Sequence, residues 1–264
     1  MIRSALMNVM TAAVLKAGRG LKRDLGEIEN LQVSVKGPGD FVTAADKRAE
    51  KTVFEELSKA RPGYGFVMEE GGRIEGTDRS HTWHVDPLDG TTNFLHGVPI
   101  FAVSVGLERE GQLVAGVVYN PATDDMYFAE RGQGAYLNNR RLRVAARRDI
   151  AEALVSCGIP ALGRASLHPR FKAEMAEVMA RAGVLRRFGA AALDLAAVAA
   201  GFSDAYWERG VKSWDVAAGA LLVREAGGFV STADGADDLL GAGSILAGNE
   251  HMHRTMLDIL RRVR

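Results

Sequence analysis

The sequence predicts a layered fold of the α/β type, in which sheets are covered by helices. Two patterns carry this prediction. Between residues 101 and 128, three apolar runs follow one another, separated by the turn residues Glu110-Gly111 and Asn120-Pro121, as in an antiparallel meander. After residue 150, short apolar runs alternate instead with helical segments. The change predicts two closely packed parts, an N-terminal α+β part at 1–147 and a C-terminal α/β part at 148–264.

The first half begins with a predicted amphipathic helix that ends at Leu25. The residues expected on one side of it are Ala5, Val9, Ala12 and Ala13. A second helix is expected at 43–60, because apolar residues recur at helical spacing and Arg61-Pro62-Gly63 ends the pattern. Its inward residues are Ala49, Val53, Phe54 and Leu57. The other predicted elements are a strand at 31–35 broken at 37–39, a strand at 64–68, an exposed loop at 71–80, a strand at 82–86 and meander strands at 101–107, 113–119 and 126–128.

The second half is predicted to alternate strands with helices. The expected strands are 153–157, 184–188, 205–207, 229–230 and 244–247. The expected helices are 169–182, 190–200, 214–226 and 249–262.

Composition excludes several classes of protein. The 33 basic and 33 acidic residues cancel, which argues against a global nucleic-acid-binding surface. The arginines at 140–148 are expected to form a solvated loop and hairpin edge; a face for a polyanion is the alternative.

Cys157 is the only cysteine, which excludes an intrachain disulfide and fits a reducing compartment. Its apolar neighbours predict that it is a buried strand residue. With no apolar run of transmembrane length and no signal peptide, we expect a cytoplasmic protein without membrane contact.

The run at residues 83–94 concentrates chemistry in a short stretch. Pro87 requires an extended residue before it, so Asp86 is expected to end a strand. Asp89 then falls at the N-cap of a helix whose first turn contains Gly90 and Thr91. Such a corner brings two carboxylates and free backbone N–H groups together, which suits a divalent cation and a phosphate. An aspartate-capped turn without a ligand remains the alternative.

Three other acidic positions lie beside predicted elements. Glu69 follows a strand, Asp46 lies near a helix start and Asp215 lies in the first turn of a helix. Taken singly, Glu69 could be a solvated strand end and Asp46 a surface charge. Asp215 could be an aspartate whose charge interacts favourably with the helix dipole. The histidines His81, His84 and His96 have irregular spacing and lie beside acidic groups, which favours a hard metal over zinc.

Four motifs together resemble the inositol monophosphatase family. The segment at 86–94, Asp-Pro-Leu-Asp-Gly-Thr-Thr-Asn-Phe, is similar to its first signature, and Trp-Asp-Val-Ala-Ala-Gly at 214–219 is similar to its second. The Glu69-Glu70 pair and the segment at 40–46 match in order and spacing. The resemblance implies a five-layered α/β/α/β/α sandwich of the sugar-phosphatase type. It also implies a lithium-sensitive, Mg²⁺-dependent phosphatase of the cytoplasm that forms a homodimer and hydrolyses myo-inositol 1-phosphate.

The resemblance also implies roles for individual residues. One Mg²⁺ ion would be bound by Glu69, Asp86 and the carbonyl oxygen of Leu88, a second by Asp86, Asp89 and Asp215, and a weaker third by Glu69. Thr91 would hydrogen-bond the attacking water, which the metals activate, and Asp46 would orient the Thr91 hydroxyl and accept its proton. The backbone amides of Gly90 and Thr91 would hold the phosphate.

Substrate recognition is expected to use the metal-site carboxylates together with residues of the second half. The residues of the second half are Gly189, Ala191 and Glu208, and the carboxylates of the metal site are Asp89 and Asp215. A carboxylate suits vicinal hydroxyls because it accepts two hydrogen bonds; pairing of Glu208 with Arg209 or Lys212 is the alternative. Met68 stands where many relatives have glycine, beside the expected metal pocket, and this difference affects how tightly the third metal would bind.

Two alternative functions stay open at this point. One is a broad sugar phosphatase that accepts fructose 1,6-bisphosphate or NADP(H). The other is a regulatory protein that binds an acidic partner, or less favourably a nucleic acid, through the arginines at 140–148.

Overall fold

A computed structural model describes residues 3–27, 33–37 and 40–263, with side chains described outside residues 33–42. Its helices are α1 (Ala5–Leu25), α2 (Ala44–Ala60), α3 (Thr91–Leu95), α4 (His168–Met179), α5 (Ala191–Ala199), α6 (Ser213–Glu225) and α7 (Glu250–Arg262). The strands of the first half are β1 (Val33–Gly37), β2 (Asp40–Thr43), β3 (Tyr64–Met68), β4 (Gly72–Ile74), β5 (Asp78–Asp89), β6 (Ala102–Arg109), β7 (Gln112–Asn120), β8 (Asp125–Glu130), β9 (Gly134–Leu137) and β10 (Arg140–Arg141). Those of the second half are β11 (Leu154–Cys157), β12 (Val184–Arg186), β13 (Ala205–Arg209), β14 (Phe229–Ser231) and β15 (Ser244–Gly248).

The strands form two large sheets and one small antiparallel ribbon, β1–β2. The first sheet has eight strands in the order β10-β9-β8-β7-β6-β5-β3-β4, and the second has five in the order β12-β11-β13-β15-β14. In the first sheet β3 and β5 run parallel, and in the second β11 runs parallel to β12 and β13. The meander predicted at 101–128 is confirmed as β6, β7 and β8.

The helices separate the two sheets and cover their outer faces. Helices α1 and α2 pack on one face of the eight-stranded sheet, α5 and α6 lie between the two sheets, and α4 and α7 cover the five-stranded sheet. The layers therefore follow the order α/β/α/β/α, which confirms the predicted fold. None of the helices in the described ranges is long and apolar enough to cross a membrane.

Helix α6 lies unusually close to the eight-stranded sheet. Gly106 of β6 and Gly116 of β7 are paired across the ladder beneath it. A Cβ atom at Gly116 would lie 2.9 Å from the Cα and carbonyl oxygen of Ala218, and one at Gly106 would lie 2.7 Å from the Cβ of Ala217. The two glycines thus allow the backbone of α6, which carries Asp215, to rest directly on the sheet.

Most predicted elements are confirmed within one to three residues, and the exceptions have physical reasons. The apolar face predicted for α1 is wrong at the exposed Ala5 and Ala12 and right at Ala13 and the partly buried Val9, because the larger side chains form the buried stripe. That stripe contains Met7, Met10, Val14, Ala17 and Leu21. The predicted loop at 71–80 contains β4 and the start of β5, since β4 pairs with β3 at the sheet edge. The predicted strand at 31–35 is described from Val33 onward, and residues 31, 32, 38 and 39 lie outside the described residues.

The boundary at 147/148 remains a prediction. All strands of the eight-stranded sheet precede it, and all strands of the five-stranded sheet follow it. However, α5 and α6 contact both sheets, so the two parts share one helical layer. Cys157 is buried, as expected, and burial raises its pKa to about 12.

Candidate functional site

The corner at the end of β5 brings Asp86 and Asp89 to one side of the molecule. Asp86 still pairs with β6, and the register then shifts before Asp89. The Asp86 carboxylate accepts a hydrogen bond from the Leu88 backbone N–H at 2.9 Å, which folds the chain around Pro87. Gly90 follows with a φ of 90°, and a Cβ atom there would lie 2.9 Å from the Ile100 carbonyl oxygen. A glycine is therefore required at this turn.

Asp89 is not the N-cap that the sequence predicts. Helix α3 begins at Thr91 with Gly90 as its N-cap, and no side chain caps it. The Asp89 carboxylate instead accepts a hydrogen bond from the Ala192 backbone N–H at 2.6 Å, in the first turn of α5. Asp89 therefore joins the corner to the second half of the chain, while Gly90, with a φ of 90°, takes the N-cap position of α3.

Two further carboxylates approach the corner from other elements. Glu69 directly follows β3, and its backbone N–H donates to the Val85 carbonyl oxygen at 3.2 Å. Asp215 lies in the first turn of α6, where its carboxylate accepts the Lys212 backbone N–H at 2.7 Å. One pocket is lined by these acidic residues and by all of the predicted substrate residues. Its lining includes Glu69, Asp86, Leu88, Asp89, Gly90, Thr91, Gly189, Ala191, Glu208 and Asp215.

The electrostatics of this pocket are dominated by buried negative charge. Burial raises the pKa of Asp86 well above its ordinary value, and the charges of Glu69, Asp89 and Asp215 raise it further. The pKa of Asp89 is raised in the same way, by burial and then by Asp215. Burial also raises the pKa of Asp215 to about 7. Mutual repulsion of this kind is relieved by bound cations.

The donor set fits a hard divalent metal. Carboxylate and carbonyl oxygens suit Mg²⁺, Mn²⁺ or Ca²⁺ better than zinc or copper. Within the described part of the chain, no three acidic, histidine or cysteine side chains are already arranged around one point that could hold an ion.

Thr91 and Asp46 form a hydrogen-bonded pair at the edge of the pocket. The Thr91 hydroxyl lies 3.1 Å from Asp46 Oδ1 and 3.0 Å from the Leu88 carbonyl oxygen. The other oxygen of Asp46 accepts the Thr43 backbone N–H at 2.8 Å and the Thr43 hydroxyl at 2.6 Å, forming a capping box at the start of α2. Asp46 is fully buried, not a surface charge, and burial raises its pKa. A buried carboxylate of this kind can take up a proton.

Glu208 also lines the pocket, and it lies inside strand β13 and not after it. The buried Tyr206 hydroxyl donates a hydrogen bond to it, and a Cβ atom at Gly158 would overlap its carboxylate. Arg209 faces away and pairs with Glu174 at 2.7 Å, so the alternative pairing of Glu208 with Arg209 is wrong. Burial raises the pKa of Glu208.

Several residues of the site were not predicted from the sequence. Gly158, Ile159 and Arg187 line the pocket, and Glu50 is buried and accepts a hydrogen bond from the backbone N–H of Glu70. Glu50 could have been found, since it is one helical turn after Asp46 on the buried face of α2. Ile159 and Arg187 lie in irregular segments, where no periodic pattern reveals which residues meet.

The fold and the pocket define a metal-dependent phosphatase of the layered α/β class. The chain belongs to the inositol monophosphatase family, whose model matches residues 3–264. It is a phosphoric monoester hydrolase, as the close relatives named inositol-1-monophosphatase indicate.

Two relatives and one solved structure illustrate the similarity. The chain is 60% identical over 262 residues to an inositol-1-monophosphatase of Mesorhizobium japonicum, covering 99% of this chain and 98% of that protein. It is 39% identical over 265 residues to the Nus factor SuhB of Escherichia coli, covering 97% and 96%. The crystal structure of the extragenic suppressor protein suhB from Bartonella henselae superposes with a TM-score of 0.95 at 54% identity, covering 98% of this chain and 99% of that one.

Proposed function

We propose that the protein hydrolyses myo-inositol 1-phosphate, or a closely related inositol or sugar phosphate, and that it requires Mg²⁺. The observation that carries this proposal is the convergence of Glu69, Asp86, Asp89 and Asp215 on one pocket. Buried carboxylates that repel one another need a cation, and the family is metal-dependent. The substrate is supported by the relatives that are named inositol-1-monophosphatases at 55% to 60% identity.

The lining of the pocket supports the metal ligands that the family resemblance implies. Glu69, Asp86 and the Leu88 carbonyl oxygen would hold one ion, and Asp86, Asp89 and Asp215 a second, with a third leaning on Glu69. The Leu88 carbonyl oxygen lies 3.0 Å from the Thr91 hydroxyl, and when Thr91 donates its proton to Asp46 instead, both lone pairs of this oxygen stay available for a ligand. When bound, the ions neutralise the phosphoryl oxygens and make water a stronger nucleophile.

The protein's own contribution to proton transfer is assigned to Thr91 and Asp46. Thr91 has one hydroxyl proton, which it can donate to Asp46 while its lone pairs accept a hydrogen bond from the attacking water. The two Thr43 donors fix Asp46 in place, so its free oxygen stays directed at Thr91. The backbone N–H groups of Gly90 and Thr91 would hold the phosphate oxygens.

Recognition of the leaving group is assigned to other residues that line the pocket. Glu208 would accept hydrogen bonds from ring hydroxyls, and the small residues Gly189 and Ala191 leave room for the ring. A bisphosphate or nucleotide substrate is the second candidate, because the exposed cation of Arg187 lines the same pocket and could pair with a second phosphate.

A phosphate-release assay tests the proposal. Inositol 1-phosphate, fructose 1,6-bisphosphate, NADPH and p-nitrophenyl phosphate are compared with Mg²⁺ and with EDTA. We expect hydrolysis only with Mg²⁺, the highest kcat/KM with inositol 1-phosphate, and inhibition by millimolar Li⁺. A preference for the bisphosphate that Arg187→Ala abolishes would favour the second candidate, and full activity in EDTA would contradict the metal site.

A regulatory role is a separate proposal that can coexist with catalysis. Some relatives are named Nus factor SuhB, at 39% to 44% identity. Arg140, Arg141, Arg143, Arg147 and Arg148 are all exposed, and Arg147 also pairs with buried Asp204 at 2.8 Å. Such a face could meet an acidic partner. Location in the cytoplasm and assembly as a homodimer likewise remain proposals.

A further inference from the structure

Glu50 is a buried carboxylate that the proposed mechanism does not use. It lies on α2 and is 7% exposed. Asp46, which contacts Thr91, precedes it by one helical turn on the same buried face. Burying a carboxylate is costly unless hydrogen bonds compensate it, so the partners of Glu50 indicate its role.

Those partners belong to the turn that carries Glu69. Glu50 Oε2 accepts the Glu70 backbone N–H at 2.8 Å, and the Gly71 backbone also hydrogen-bonds to this carboxylate. A Cβ atom at Gly71 would lie 3.0 Å from Glu50 Oε1, so the turn packs directly on the carboxylate. Glu50 thus holds the backbone immediately after Glu69.

Glu69 is held from both sides as a result. Its own N–H donates to the Val85 carbonyl oxygen, one residue before Asp86, at 3.2 Å. The next N–H along the chain donates to Glu50. The direction of the Glu69 side chain is therefore set by β5 on one side and by α2 on the other.

We propose that Glu50 is a positioning residue for the metal site: through the Glu70 and Gly71 backbone it directs the Glu69 carboxylate into the pocket. This inference rests on the proposed role of Glu69 as a metal ligand. Helix α2 then fixes two separate loops of the site, with Asp46 holding Thr91 and Glu50 holding Glu69. Residues that orient metal ligands typically change metal affinity by about 10- to 100-fold when removed.

The test compares Glu50→Ala with Glu50→Gln. The amide oxygen of glutamine can still accept the Glu70 N–H, but it carries no charge. Glu56→Ala is the matched control, because Glu56 lies on the same helix, is partly exposed and pairs with Lys16 at 2.5 Å. Mg²⁺ binding is measured by calorimetry without substrate, and kcat, KM and Tm are measured beside it.

We expect Glu50→Ala to weaken Mg²⁺ binding and raise the Mg²⁺ concentration for half-maximal activity by about tenfold or more. KM at saturating Mg²⁺ should change little. Glu50→Gln should restore binding close to wild type, and Glu56→Ala should not differ from wild type. A lowered Tm with unchanged Mg²⁺ binding in Glu50→Ala would overturn the inference, and so would a Glu50→Gln variant as impaired as Glu50→Ala.

Glu69→Gln separates failure of this inference from failure of the proposed function. If Glu69→Gln loses Mg²⁺ affinity and Glu50→Ala does not, only the positioning role is contradicted. If Glu69→Gln binds Mg²⁺ like wild type, the assignment of Glu69 as a ligand fails first, and the proposed metal site with it.

Discussion

At the scale of single residues, the pocket combines two kinds of carboxylate. Asp86, Asp89 and Asp215 repel one another and accept single backbone hydrogen bonds, which leaves most of their lone pairs for a ligand. Asp46 and Glu50 instead have their hydrogen bonds satisfied by neighbouring protein groups. The first group is suited to bind cations and the second to hold the site together.

Glu208→Gln tests whether Glu208 recognises the substrate. Loss of a charge-assisted hydrogen bond costs about 1.5–3 kcal/mol, so kcat/KM for inositol 1-phosphate should fall about 10- to 100-fold. The loss should shrink with p-nitrophenyl phosphate, which has no ring hydroxyls to bind. Equal losses on both substrates would show that Glu208 supports the metal site, and no loss on either would remove it from the mechanism.

Asp215 predicts how the stability of the metal-free protein depends on pH. Its pKa rises from 3.8 to about 7 on folding, so the folded state retains a proton that the unfolded state loses between these pH values. The contribution of Asp215 to stability should therefore fall as pH rises from about 4 to about 7 and then level off. In EDTA we expect a lower Tm at pH 8 than at pH 5.

Asp215→Asn should reduce this difference, and Mg²⁺ should raise the Tm of the wild type at pH 8. The pKa values of Asp86 and Asp89 are also raised on folding and lower the stability at high pH in the same way, so Asp215→Asn removes only part of the pH dependence. Asp258→Asn, at an exposed position of α7, is the control. A Tm in EDTA that is constant or rises over this pH range would contradict the picture of uncompensated buried charge.

At the scale of elements, the position of α6 depends on two glycines. Gly116→Ala places a Cβ atom against the Ala218 backbone, which cannot move away without shifting the helix. We expect a loss of about 1–3 kcal/mol in the free energy of unfolding. Because α6 carries Asp215, the Mg²⁺ requirement should also rise.

Chemical denaturation and Mg²⁺ titration of activity measure both effects. Gly20→Ala is the control, because a Cβ atom there meets nothing within 4 Å and the residue lies in α1. This control should be neutral or slightly stabilising, since alanine favours a helix over glycine. A Gly116→Ala protein with wild-type stability would show that α6 does not rest on the sheet as described.

The elements also show what could be predicted from the sequence. The bounds of α2 and β3 could be predicted well because Pro62 and Gly63 lie between them and their apolar residues are periodic. The buried face of α1 could not, because alanines on both sides of a helix give little contrast. The close approach of α6 to Gly106 and Gly116 depends on strand register, which local patterns do not contain.

In the candidate site, too, local patterns predicted some features, whereas others depend on contacts between distant segments. The motif at 86–94 indicated that Asp86 and Asp89 lie at one corner, and both line the pocket. The hydrogen bond from Ala192 to Asp89 and the bond from Tyr206 to Glu208 join distant segments, and only the fold reveals them.

At the scale of the whole molecule, one helical layer is shared by two sheets. Since α5 and α6 bury apolar surface against both, neither part can unfold without exposing the core of the other. We expect a single cooperative unfolding transition, despite the boundary predicted at 147/148.

Tryptophan fluorescence can follow each sheet separately. Trp83 is buried in the eight-stranded sheet and Trp207 in the five-stranded one. Trp214, the third tryptophan, is replaced in every variant. Variants that then retain only Trp83 or only Trp207 should each unfold with the same midpoint by fluorescence and by far-UV circular dichroism. Separate midpoints within one variant would show that the two parts are independent domains.

The most direct measurement of the central claim is phosphate release from inositol 1-phosphate by wild type and Asp86→Asn, with and without Mg²⁺. Asp86 is buried among the other three carboxylates and would bridge two ions, so its loss should lower kcat by about three orders of magnitude or more while circular dichroism stays unchanged. We expect Mg²⁺-dependent release by wild type and almost none by the variant at any Mg²⁺ concentration. Turnover by Asp86→Asn near the wild-type rate in saturating Mg²⁺ would contradict it.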